Sequence, residues 1–374
     1  MKKLILSTLA IAALTFSSCS SSDDEPQTAG FILDPADFKG TITSGNVTLD
    51  AATTYNLTGA LIVEDGAKLT VPAGTRIEAS GGTNAYVAVA QGGQIFINGL
   101  ANNPVVMTSS KASPKAGDWG GLVLCGKAQT NKGGGTASAE VSGLSYGGNL
   151  NTDNSGSIKY LRLEYTGAEF TADKQFNGLS LFGVGSGTTI EYVQSFEGKD
   201  DGVEFFGGTV SGKYLVSINS GDDGIDFADG WAGTGEFWYV DSAAKAGIEG
   251  SNNGDDGNAT PTTTANISNI SIINSGTNKD EGALYMKEGT GVWTANNIFI
   301  SGGASGFFMK DTDLVTAKHI ADGDHTITNV QFSGITGVKV TGNASLSFFS
   351  EGNNSGAGNG KDKPTWANGW TTGL

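Results

Sequence analysis

The sequence predicts an all-β chain wound as a solenoid of short parallel strands, and three observations carry that prediction. A glycine that opens a short apolar strand recurs at Gly178, Gly202, Gly224 and Gly247, with successive copies 24, 22 and 23 residues apart. A second strand precedes the first in each repeat, starting at Tyr160, Tyr192, Tyr214, Phe237, Asn269, Asn297 and Asn329, and the order never changes. Apolar residues alternate within both families, and the chain beyond residue 18 holds no sustained helical period. A fixed period of roughly 20 to 50 residues marks stacked repeats that share one continuous core.

Composition agrees and narrows the function classes. The 374 residues include 58 Gly and only 7 Pro, with 38 acidic against 22 basic residues and a net charge of −16. That charge argues against nucleic-acid binding, and against bare anionic membrane as a partner. The hydrophobic content of 38% supplies a long apolar core, and the charged content of 16% is too low for disorder.

Taken in chain order, the first element is a leader at residues 1–18. Lys2 and Lys3 precede an apolar run from Leu4 to Phe16 that ends in Ser17-Ser18-Cys19, which is the order of a secretory signal and is too short for a permanent span. The Ser-Ser-Cys ending resembles the lipobox of bacterial lipoproteins, which implies cleavage before Cys19 and lipid on its sulfur. Residues 19–30 form an acidic tether. Its segment Ser20-Ser21-Ser22-Asp23-Asp24-Glu25-Pro26 resembles the export signal of surface lipoproteins of Bacteroidota, which implies an outer-membrane anchor facing outward. Cys125 is then the one remaining thiol, so no disulfide framework holds the fold and packing must do so.

Residues 31–374 form a single domain. Residues 31–50 are expected to cap one end, because open strand edges invite association. Tyr55-Asn56-Leu57, Leu61-Ile62-Val63 and Leu69-Thr70-Val71 read as short strands separated by Gly59, Gly66 and Gly74, glycine supplying the positive φ of sharp corners. The body follows, with polar insertions near 251–265 and 311–325, and residues 345–374, rich in aromatics at Phe348, Phe349, Trp366 and Trp370, should cover the other end. The stretch from Gly92-Gly93-Gln94-Ile95-Phe96 through Gly117-Asp118-Trp119-Gly120-Gly121-Leu122 resembles right-handed parallel β-helix surface proteins of Bacteroidota. The resemblance extends over most of the chain and implies a single-stranded right-handed parallel β-helix. A propeller or a sandwich would not keep this period.

One acidic strip is the candidate for chemistry. Registering the repeats puts Glu204, Asp226 and Glu249 at the same outward position of consecutive rungs, beside inward Val203, Ile225 and Ile248. Asp200 with Asp201, and Asp222 with Asp223, stack in the preceding corner, where like charges about 4.8 Å apart repel unless cations, hydrogen bonds or raised pKa values intervene. Lys199-Asp200-Asp201-Gly202 and Ser220-Gly221-Asp222-Asp223-Gly224 resemble the acidic motifs of polygalacturonase-type β-helical glycoside hydrolases. That likeness implies catalytic roles for Asp201, Asp222 and Asp223 in an inverting hydrolysis, which needs paired carboxyl groups about the bond. The following rung lacks the family's Gly-His-Gly, with Ala244-Lys245-Ala246-Gly247 in its place, and no Arg-x-Lys pair awaits a uronate. Two bland readings stand beside it: a Ca²⁺ site at Asp200, Asp201, Asp222 and Asp223, and structural corners in which Asp binds backbone amides.

Trp231, directly after the acidic corner, and Tyr239, on an outward row with Arg162, Gln194 and Phe299, are candidate stacking surfaces for a sugar face or else packing under corner loops. Asn252-Asn253-Gly254-Asp255-Asp256-Gly257-Asn258 is rich in oxygen ligands but lacks the EF-hand spacing, and Gly133-Gly134-Gly135 has no phosphate-loop context. Three functions stay open: a monomeric binder of extracellular polysaccharide or a surface protein, using Glu204, Asp226, Glu249, Trp231 and Tyr239 and requiring no cofactor beyond an optional Ca²⁺; a glycoside hydrolase; and a structural or adhesive envelope protein.

Overall fold

The computed structural model describes residues 30–172, 174–276, 281–342 and 348–374. The leader, Cys19 and most of the tether lie outside them. Among the described residues, all strands but two small hairpins join one parallel ladder, which makes the chain a parallel β-helix. One face of the coil stacks Val87–Val89, Leu122–Cys125, Leu179–Phe182, Val203–Phe206, Ile225–Ala228, Ile248–Ser251, Leu284–Lys287 and Phe307–Met309. Register keeps like with like: Leu179, Val203, Ile225, Ile248, Leu284 and Phe307 fall in line, all buried.

The second family consists of longer strands, such as Thr189–Phe196, Ser211–Ile218 and Thr234–Asp241, each bent near its middle. The bend falls on the residue that opens each copy in the sequence alignment. Tyr160, Tyr192, Tyr214, Phe237, Asn269, Asn297 and Asn329 all have φ between 51° and 59°. A left-handed tyrosine is costly in isolation. Here stacking offsets it, with ring centroids 4.2 Å apart for Tyr160 and Tyr192 and 4.4 Å for Tyr192 and Tyr214. Further along the corner, Asn297 donates its side-chain amide to Asn269 at 3.0 Å.

The repeat glycines are set by packing and not by the positive φ expected of Gly59, Gly66 and Gly74. Gly202 and Gly224 are not left-handed; a Cβ on Gly224 would stand 2.3 Å from a Val240 methyl and 2.6 Å from the Gly247 carbonyl. They are selected by close approach of successive rungs. Gly59 likewise lies inside one continuous strand, Thr54–Val63, whereas Gly66 and Gly74 do take positive φ. The first rung begins already at Phe38–Ile42, which pairs with Thr54–Val63, so only the residues before it precede the coil. The insertion near 311–325 holds a helix, Leu314–Asp322, that periodicity had not revealed. It is short, capped by the Asp313 side chain at the Thr316 N–H and closed by left-handed Gly323.

The tail divides its work. Phe348 and Phe349 pack on Phe307 at the last rungs. Residues 352–374 instead turn back along the side of the coil, over the tyrosine corner and the outward row that follows it. Asn354 donates its backbone N–H to the Gln331 side-chain oxygen, Tyr239 donates its hydroxyl to the Lys361 carbonyl at 2.8 Å, and Gln194 exchanges two bonds with Thr372. Trp366 and Trp370 therefore lie on a flank and not on the end.

Candidate functional site: a carboxylate pocket under a hairpin roof

The outer surface of the first face carries two rows. Ser180, Glu204, Asp226, Glu249 and Tyr285 form one, and Cys125, Phe182, Phe206, Ala228, Ser251 and Lys287 the other. Strand alternation alone dictates this, since side chains flanking an inward residue must point away from the core. Gly133, Gly134 and Gly135, all left-handed, turn the chain into a hairpin of Thr136–Ser138 against Ser145–Gly147. Ala139, Val141 and Tyr146 of this roof, with Phe176, pack on Val123, Cys125, Phe182 and Phe206. Phe182 and Phe206 stack at 4.0 Å, and burial pushes the Cys125 thiol up to about 12, which leaves it inert.

Where the rows turn from apolar to acidic, the roof lifts off and leaves a pocket of about 280 Å³. Glu204, Asp226 and Glu249 line it, with Phe206 and Ala228 beside them and Lys132, Glu140, Tyr146, Lys174, Asp229, Lys287 and Glu288 around the wall. The three carboxyls are outward in register, as the alternation predicts, yet none exceeds 9% exposure because the roof and wall enclose them. Their partners differ. Asn177 donates its amide to Glu204 at 2.6 Å, Lys287 lies 2.5 Å from Glu249, and Asp226 Oδ1 has no hydrogen-bond partner.

Burial, then the neighbouring carboxylates, holds the Glu204 and Asp226 carboxyls well above their ordinary range. Burial also lifts Asp229 to about 6 in spite of Lys132 nearby. For Lys287 burial opposes the charge, but Glu249 and Asp226 outweigh it and the ammonium is held protonated. Such an arrangement can accept donors from a ligand, hold a cation, or keep a proton on a carboxyl near neutral pH. Asp201, Glu204 and Asp226 each bring an oxygen within 4.8 Å of the others, as do Asp200, Asp201 and Asp222.

The corner aspartates have other work. Asp201 accepts the Asp223 N–H at 2.8 Å, Asp223 accepts the Ala246 N–H at 2.6 Å, and Asp222 pairs with Lys245 at 2.7 Å. Asp201, Asp222 and Asp223, expected in hydrolytic roles, each brace the corner of the next rung. Trp231 also departs from expectation. Left-handed Asp229 and Gly230 turn the chain so that its ring enters the core between Phe205 and Phe227, fully buried, with its indole N–H on the Val210 carbonyl. Tyr239 is outward as registered, but the returning tail covers it. In the 252–258 loop, Asn253 Oδ1 accepts the N–H groups of Asp255 and Asp256, and Asn252 Oδ1 that of Thr263, so backbone amides occupy those oxygens.

Sequence reasoning missed Lys287, Lys132, Tyr146 and Phe206. Lys287 and Phe206 were within reach, because the same register that aligns Glu249 with Tyr285 aligns Ser251 with Lys287 two residues on.

Residues 40–371 match the pectate-lyase-like β-helix domain, and the chain belongs to that family. No curated protein matches the chain. Among solved structures, the catalytic unit of a thermostable alpha-1,3-glucanase from Streptomyces thermodiastaticus is similar at 13% identity and a TM-score of 0.45; the alignment covers 86% of this chain and 66% of that one. A periplasmic alginate epimerase is similar at 11% identity with a TM-score of 0.36, covering 84% of each chain.

Proposed function

We propose that this chain is a lipid-anchored protein of the outer cell surface that binds extracellular glycan in the carboxylate pocket without cleaving it. The observation that carries the reading is the row Glu204, Asp226 and Glu249, set in a half-open pocket of about 280 Å³ with lysines on its wall. Hydroxyl-rich ligands need such a mixture of acceptors and donors. Anchoring at Cys19 rests on the Ser-Ser-Cys leader ending and the acidic tether. A second reading, hydrolysis, has one observation in its favour: a carboxyl that keeps its proton, Asp226, stands beside Glu249, whose partner is an ammonium, and paired carboxyls with divergent surroundings are how acid and base roles are assigned.

The experiment is incubation of the purified chain with a polysaccharide panel, with and without chelator, scoring retention and new reducing ends. Retention without reducing ends, weakened by Glu204→Gln, is the expected result. Reducing ends that vanish in Asp226→Asn would replace binding with hydrolysis, and no retention on any glycan would remove both.

A further inference from the structure

Every lysine on the pocket wall is already paired with an acid. Lys132 lies 2.7 Å from Asp255, Lys174 lies 3.5 Å from Glu140, and Lys287 lies 2.5 Å from Glu249. Glu204 has the Asn177 amide. Asp226 alone, 6% exposed and on the pocket floor, has an oxygen with no donor among the described residues. A buried carboxyl oxygen left without a partner is costly whether or not the group carries its proton, so the pocket is completed by whatever supplies one. The lining holds six carboxyls against three ammonium groups, and burial raises Glu204 and Asp226, so a donor that brings positive charge and lets a carboxyl ionise fits best.

We infer that the pocket selects glycans bearing a free primary amino group, with the ligand's ammonium seated on Asp226. The inference rests on the glycan-binding reading and adds the substrate class. An ammonium supplies three donors and one charge, which suits Asp226 with the remaining oxygens of Glu204 and Glu249. A divalent ion suits the place less, because Ca²⁺ takes about six to eight oxygens, while Asn177, Lys287 and the Asp223 N–H already engage Glu204, Glu249 and Asp201. The pocket volume of about 280 Å³ lies just below the usual range of ligand pockets, suited to one sugar ring and not to an extended chain.

The groups facing Asp226 are Asp201, Glu204 and Glu249 on neighbouring rungs and Lys287 beyond, and burial among them keeps its proton on in the free protein. Seating an ammonium there expels that proton to the buffer. Binding heat should therefore depend on the ionisation heat of the buffer.

Titration calorimetry of the full chain, in chelator, with a fully deacetylated glucosamine tetrasaccharide and its N-acetylated counterpart tests this. The deacetylated ligand is expected to bind at least about tenfold more tightly, as loss of a desolvated charge pair implies, and Asp226→Asn should abolish the preference. Equal affinity for the two ligands overturns the inference while leaving glycan binding intact. A preference that survives Asp226→Asn overturns it too, since general attraction to an acidic protein would then suffice, as does any requirement for Ca²⁺. Absence of binding to these ligands and to every neutral glycan removes the parent reading. The ligand comparison needs no variant, so a misfolded substitution does not shield the proposal.

Discussion

Asp200, Asp201, Glu204, Asp223, Asp226 and Asp229 are six carboxyls whose folded-state pKa lies above the ordinary value, burial being the first cause in each. A carboxyl raised on folding contributes stability that is complete below its unfolded pKa and disappears as pH climbs through the folded one. For Asp229 that window runs from 3.8 to about 6, and for Asp200 from 3.8 to about 7. Buried His325, lowered from 6.5 to about 4, works in the opposite sense, but it is one group against these six and against Glu140 and Glu281, which burial also raises. The melting temperature should therefore fall between pH 5 and pH 8, and Asp200→Asn should flatten the slope between 5 and 7. Thermal melts at constant ionic strength check this, and a melting temperature that rises over the interval would refute it. At this scale the sequence was half legible. Alternation placed Glu204, Asp226 and Glu249 outward, but the pocket that buries them is walled by Lys132, Lys174, Lys287 and Glu288 together with the hairpin at 136–147, whose docking position no local pattern encodes.

The strands themselves were legible because their period is written in every rung, and even the left-handed corner was marked, by the tyrosines and asparagines that head each copy. What escaped were the elements that occur once: the helix Leu314–Asp322, the roof and the returning tail. A singular element has no second copy to reveal its register. The tail carries the sharper prediction. Trp370 is fully buried and meets Tyr160 and Tyr192 edge-on at 5.9 Å. Trp370→Ala should cost about 3–5 kcal/mol, the range for truncating a buried tryptophan. Urea titration followed by far-ultraviolet circular dichroism measures it; a change under about 1 kcal/mol would mean the tail is only loosely applied.

At the scale of the whole molecule, the proposed anchor at Cys19 and the coil are separate devices, so removing one leaves the other intact. Cys19→Ala should abolish fatty-acid labelling and release the chain from the membrane fraction while leaving the melting temperature unchanged, and label that persists would dismiss the anchor. Stacked rungs contact only their neighbours, so a simple solenoid can fray from either end. This one has its last segment fastened to earlier rungs, from Gln331 back to Gln194, and Leu374 finishes against the flank. Tension applied between the two ends of the protein would thus enter the coil near Tyr160, far from the final turn. The last rungs would carry no load until the strap had peeled away, so the tail is a mechanical bypass that shields the end of the coil from pulling.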